Sequence, residues 1–197
     1  QNVQIHIKDA GETATIVPAS GGSNTLYISK IGKGQSSSQK VSLQTAPDAT
    51  AKAYTLNVDF SYESASTNAA HTANETIAVP ILQKIRLKCD EPTVYDDVSY
   101  LDSSTSMSIK MYNMGRSSIY NCIVDVEGNG LKLEESYFGG TLSAGSTLAA
   151  DISVIPSEAG DIQGTVVISY EDVYGEPGEE RLHFTLHVED PNAGMEN

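Results

Sequence analysis

The sequence predicts an all-β chain made of two tandem β-sandwich domains, the first lacking its first strands. Three observations carry that prediction. Apolar and polar side chains alternate through a series of short runs, the period of a half-buried strand. Turn signals containing Gly, Asn or Pro separate those runs at regular spacing. One pattern is also written twice: residues 55–63 read Thr-Leu-Asn-Val-Asp-Phe-Ser-Tyr-Glu, and residues 163–171 read Gln-Gly-Thr-Val-Val-Ile-Ser-Tyr-Glu. No stretch carries a helical period.

Val3, Ile5 and Ile7 open the chain as a half-buried strand. Gly21-Gly22-Ser23-Asn24 is a turn, and Leu26 and Ile28 mark a short strand after it. Gly32-Lys33-Gly34 turns the chain again, and Val41 and Leu43 mark the next strand. Tyr54, Leu56, Val58, Phe60 and Tyr62 form a long alternating strand. Residues 64–74, rich in Ala, Ser, Thr and Asn, read as a hairpin loop before a last strand at Ile77, Val79 and Ile81. Pro80 lacks an N–H, so its strand belongs at a sheet edge.

The second module starts directly after the first. Residues 81–87 contain neither Gly nor Ser, so the junction reads as stiff. Strands are expected at 85–89, 106–112, 120–126, 131–133 (just before Tyr137-Phe138), 148–155, 163–171 and 181–188. The domain bounds are then 1–83 for the truncated sandwich and 84–190 for the complete one, with 191–197 as a flexible tail. The two modules align in order. Val3, Ile5 and Ile7 match Cys122, Val124 and Val126. Tyr27 matches Phe138, and Gly34 matches Gly145. Val41 and Leu43 match Ile152 and Val154. Val58, Phe60 and Tyr62 match Val166, Ile168 and Tyr170. Ile77, Val79 and Ile81 match Phe184, Leu186 and Val188. Nothing in the first module matches residues 85–112. Such a truncated sandwich leaves open edges. Three outcomes fit: a smaller self-contained sheet, edge pairing between chains, or strands supplied from elsewhere. The first module is expected to dimerise or to be unstable by itself. The preferred expectation is that the chain is the C-terminal piece of a longer array.

Composition narrows the partners. Twelve Lys and Arg against 26 Asp and Glu give a net charge of −14, which repels nucleic acid and anionic lipid. No run approaches the roughly 18 apolar residues of a membrane span, so this segment is not expected to cross a bilayer. Gln1 has no Met before it, which reads as a processed or excised fragment. Cys89 and Cys122 are too few for a disulfide scaffold. Each lies on the apolar side of a strand. Two reduced, buried thiols and one bond between strands or sheets both fit.

Motifs that carry chemistry are few in this chain. No Gly-x-Ser-x-Gly elbow and no Gly-rich loop leading into a helix is present. His183 and His187 share an outward strand face and read as exposed, and His71 sits in a polar loop. Asn74-Glu75-Thr76 fits a glycosylation triplet, a pattern common by chance. No cofactor is expected. Asp96, Asp97, Glu171 and Asp172 are weak candidates for a loop Ca²⁺ site, since carboxylates suit that ion, though no Asp-x-Asp-x-Asp-Gly loop exists. Tyr95, Tyr100 and Tyr174 lie near turns and are candidates for a binding surface toward protein or sugar. The chain is not expected to be an enzyme.

Short strands, regular turns and two modules point to immunoglobulin-like sandwiches. Asn113-Met114-Gly115, followed by a strand from Tyr120, resembles a signature of bacterial CARDB-like and NEW3-like immunoglobulin-like domains. The Leu142 to Gly145 turn and the Tyr170-Glu171-Asp172-x-Tyr174-Gly175 hairpin resemble the same group, found in surface proteins of Gram-positive bacteria described as S-layer-like or cell-adhesion-related. The resemblance covers the whole second module and most of the first. It implies an extracellular, cell-surface-attached, non-catalytic segment that spaces other domains or binds protein. It supplies no catalytic residues. Two other readings stand beside it: a carbohydrate-binding accessory module of a wall-associated enzyme that contacts cell-wall glycan, and a polymer subunit that self-associates by exchanging edge strands.

Overall fold

A computed structural model describes residues 1–193. It contains no helix among them, and the chain is an assembly of immunoglobulin-like sheets. Two compact units divide it, residues 1–82 and the chain from Gln83 onward.

The first unit holds β1 (Val3–Asp9), β2 (Ile16–Pro18), β3 (Thr25–Ile28), β4 (Leu43–Thr45), β5 (Lys52–Glu63) and β6 (Ala70–Ile81). One sheet has the order β3-β1-β5-β6, and β2 pairs with β4 in a second sheet of two strands. Its core is small. Ile16, Tyr54 and Leu56 are buried, with Ile7, Leu43, Val79 and Ile81 packed on them.

The second unit holds β7 (Leu87–Cys89), β8 (Thr93–Val94), β9 (Ser99–Tyr100), β10 (Thr105–Asn113), β11 (Ile119–Glu127) and β12 (Leu131–Leu133). It continues with β13 (Tyr137–Leu142), β14 (Thr147–Pro156), β15 (Gly160–Glu171) and β16 (Pro177–Glu189). Its sheets have the orders β12-β14-β10-β7, with β8 also on β10, and β13-β11-β15-β16-β9. Met107, Ile109 and Met111 of β10 are fully buried among Val124, Val154, Val166 and Ile168.

The duplication holds at the level of hydrogen-bond register. Leu56 faces Ile77 across β5 and β6, and Gly164 faces Phe184 across β15 and β16. Ile7 faces Val58, and Val126 faces Val166. Gln4 faces Tyr27, and Ile123 faces Phe138. Pro18 faces Leu43, and Leu133 faces Val154. A register slip of one residue would turn every apolar side chain outward, so this match is physically constrained. Even the preceding turn is kept: Gly34 and Gly145 both have φ 73°, a left-handed conformation that glycine adopts without strain.

The first unit has no counterpart of β7, β8, β9 or β10 among the described residues. This is the truncation expected from sequence. Its effect is visible at equivalent positions. Tyr170 is 9% exposed, whereas Tyr62 is 40% exposed. Ile168 is fully buried, whereas Phe60 is only half-buried.

Some element bounds differ from the expectation. The hairpin loop expected at 64–74 is shorter, because β6 begins at Ala70 and pairs with Glu63. Backbone pairing with β5 extends the strand through residues whose side chains are exposed. β2, β8 and β9 are two or three residues long, too short for a visible alternation. Pro80 does lie on an edge strand, as its missing donor requires. Of the expected tail, residues 191–193 form a turn closed by the Ala193 N–H on the Asp190 carbonyl at 3.1 Å. Residues 194–197 lie outside the described residues.

Candidate functional site

The Asn113-Met114-Gly115 segment ends β10 and is a structural joint. The Asn113 side chain is 2% exposed. Its amide donates to the Ser117 carbonyl at 2.8 Å and to the Leu142 carbonyl at 3.0 Å. Its side-chain oxygen accepts the Gly115 N–H at 3.0 Å. The Asn113 carbonyl accepts the Gly145 N–H, and the Met114 N–H reaches the Arg86 carbonyl. A buried amide satisfied in this way pins one register.

The carboxylates proposed for calcium do not converge. Asp96 and Asp97 sit exposed in the loop before β9. Glu171 ends β15 and accepts the Asn121 side-chain amide at 2.8 Å. Asp172 shapes the next turn, accepting the N–H groups of Tyr174 at 2.7 Å and Glu176 at 2.9 Å. Among the described residues, no three His, Cys, Asp or Glu side chains are grouped to hold a metal ion.

The three tyrosines are likewise apart. Tyr95 follows β8, is 59% exposed and donates its hydroxyl to Asp151 at 2.6 Å. Hydrogen bonds from Tyr95 and Ser108 hold the Asp151 carboxyl below its usual range. Tyr100 pairs with Glu189 at the far end of β16. Tyr174 lies in the hairpin that starts β16. About 40 Å of strand separates those two ends, at roughly 3.3 Å per residue. A shallow depression of the outer face joins Tyr95 to Asp90, Glu91, Thr93, Ser108 and Lys110. Tyr112 donates to Asp90 at 2.7 Å on the same face.

The histidines hold ladder positions. His183 meets Thr165 at 3.0 Å, and His187 meets Asp161 at 2.7 Å, both on the exposed face. Cys122 is fully buried and Cys89 half-buried, and both are free thiols. They lie on β11 and β7, which belong to opposing sheets. Burial chiefly, then the nearby Glu180, pushes the Cys89 thiol up to about 11. Burial raises Cys122 as well.

One candidate contact feature escaped the sequence reading: a polar groove on the outer face of the first unit. Gln4, His6, Asp59, Ser61, Thr72 and Asn74 line it. Lys8 pairs with Asp59 at 3.3 Å beside it. These residues come from three adjacent strands, so no local motif announces them.

Fold and surface together define a chain of duplicated immunoglobulin-like sandwich units. No family model matches it, and no curated protein matches it. Among solved structures it is similar to the ASH / PapD-like domain of human CEP192 (PapD-like domain 7), at 7% identity and a TM-score of 0.38, covering 53% of this chain and 85% of that one. No helix among the described residues is long and apolar enough to cross a membrane.

Proposed function

We propose that the chain is a non-catalytic binding and spacer segment of an extracellular bacterial cell-surface protein. The observation that supports this reading most is the register-true duplication of one sandwich. Repetition of a scaffold extends reach and multiplies contact surface. The polar side chains serve turns and ladders, as Asp172 and Asn113 do. That leaves loops, exposed tyrosines and strand edges as the contact features. The CARDB-like resemblance and the acidic surface support an exposed location. Surface digestion of intact source cells by trypsin tests it. Peptides of this chain should appear in the supernatant, and their release only after lysis defeats the reading.

The glycan-binding alternative is favoured by a specific feature, the depression beside Tyr95 with its paired acids and hydroxyls. A glycan array discriminates: signal lost on Tyr95→Ala supports a sugar site, and an array without signal removes it.

A further inference from the structure

We propose that the open edge of β4 in the first unit is a strand-acceptor site. Its occupant is an acidic, extended polypeptide segment with apolar side chains at alternate positions. This goes beyond the spacer reading and stands on the duplication and on charge.

The second unit supplies the template. There β14 is flanked on both sides, Val154 facing Leu133 of β12 and Thr105 of β10. Ile152 faces Met107. In the first unit β4 pairs with β2 and with no other strand among the described residues. Adjacent residues of an antiparallel strand send their backbone groups to opposite sides. The Ala19 N–H donates to the Ser42 carbonyl at 3.0 Å, and the Ala46 N–H to the Thr15 carbonyl at 2.7 Å. Even-numbered residues therefore face β2, and the backbone groups of Val41 and Leu43 face the open side. These two residues match Ile152 and Val154, the positions that bind β10.

In the second unit Ile168 and Tyr170 belong to one core with Met107, Ile109 and Met111 of β10, and their equivalents Phe60 and Tyr62 are more exposed in the first. Tyr62 is 40% exposed where Tyr170 is 9% exposed. An added strand supplies main-chain hydrogen bonds, and its alternate side chains fill the uncovered face.

Charge specifies the occupant further. Residues 13–47 contain no Asp or Glu and carry Lys30, Lys33 and Lys40, in a chain of net charge −14. Lys40 stands at the place of Asp151 in the second unit. Asp151 faces Ser108 of β10 and takes the Tyr95 hydroxyl. An incoming strand thus meets a cation where β10 meets an anion. A carboxylate at the Ser108 position, beside an apolar residue at the Met107 position, fits that edge.

The probe is a fluorescein-labelled peptide with the sequence of β10 carrying Ser108→Glu, compared with one carrying Ser108→Lys. Anisotropy is read on the full 197-residue chain. The glutamate peptide should bind about fivefold tighter in low salt, the range of a partly exposed charge pair. Lys40 is exposed, and Lys40→Glu should reverse that order. Val41→Pro removes one outward N–H and should abolish binding of both peptides. Equal affinity of both peptides, or the same ranking on Lys40→Glu, overturns the acidic occupant. No binding up to millimolar peptide overturns the acceptor site. Light scattering that shows self-association lost on Val41→Pro makes the occupant a second copy and also overturns the proposal.

Discussion

The Asn113 side-chain amide donates to the Leu142 carbonyl at 3.0 Å, joining the end of β10 to the end of β13 in the opposing sheet. A second donation to Ser117 closes the turn that leads into β11. One buried side chain thus fixes a turn and bridges the sandwich. Asn113→Ala leaves the Leu142 carbonyl without this donor in the interior, a loss of about 3 kcal/mol with the second bond included. Urea unfolding should show the midpoint falling with an unchanged slope. Asn113→Asp removes the donors as well and should do no better. A variant as stable as the parent makes the joint dispensable.

Across β15 and β16, Gly164 faces Phe184, and a side chain built on Gly164 would run into the Phe184 ring. The first unit solves the same position with Leu56 facing Ile77. A small residue with a large partner has been exchanged for two of middle size. Gly164→Ala should cost about 2 kcal/mol through overpacking. Adding Phe184→Ile should recover a good part of that loss. Additive losses in the double-mutant cycle show that the ring is not what the new methyl strikes.

The apolar alternation made most of the fold legible. The alternation marks Val58, Phe60 and Tyr62 as one face of β5 and Val166, Ile168 and Tyr170 as one face of β15, but only the second face is fully covered, since Tyr62 stays 40% exposed. Short pairings were not legible, because β8 and β9 exist only through tertiary contacts with β10 and β16. Sites were the weakest part. Asp172, a weak Ca²⁺ candidate in sequence, accepts two backbone N–H groups of its own turn. The outer groove at His6, Asp59 and Asn74 depends on register, which a single run of residues does not display.

Both thiols should be slow toward iodoacetamide at neutral pH. The nucleophile is the thiolate, and burial disfavours it at Cys89, whose value lies at about 11, and at Cys122. Labelling of the native chain followed by mass spectrometry should leave both unmodified for hours, with fast reaction in urea. Rapid native labelling of Cys122 contradicts its burial.

Asp9 gives the first unit an acid dependence. Its carboxylate accepts the N–H groups of Gly11 at 2.9 Å, Thr15 at 2.8 Å and Ile16 at 2.9 Å. These bonds, Gly11 first, lower its pKa below the ordinary 3.8. A group lowered on folding stabilises the fold above its unfolded value. That contribution is lost as pH falls from about 3.8 through the lower folded value. Asp9 is half-buried and still open to solvent screening, so Asp9→Asn should cost only about 1 kcal/mol at pH 7. The cost should shrink toward pH 2, measured by urea unfolding of parent and variant. A difference independent of pH assigns the role to shape and not to charge.

The unequal cores predict unequal melting. The second unit buries Met107, Ile109 and Met111 between its sheets, and the first has no such strand among the described residues. Removing one strand's worth of buried apolar side chains forfeits roughly 2 kcal/mol for each one. The isolated fragment 1–83 should therefore be unfolded or concentration-dependent in size, while 84–190 melts cooperatively as a monomer. Calorimetry of the full chain should resolve two transitions, the lower one from the first unit. A monomeric fragment 1–83 with a cooperative melt as high as that of 84–190 shows that the small core of Ile16, Tyr54 and Leu56 suffices, and the missing strands are then no deficit.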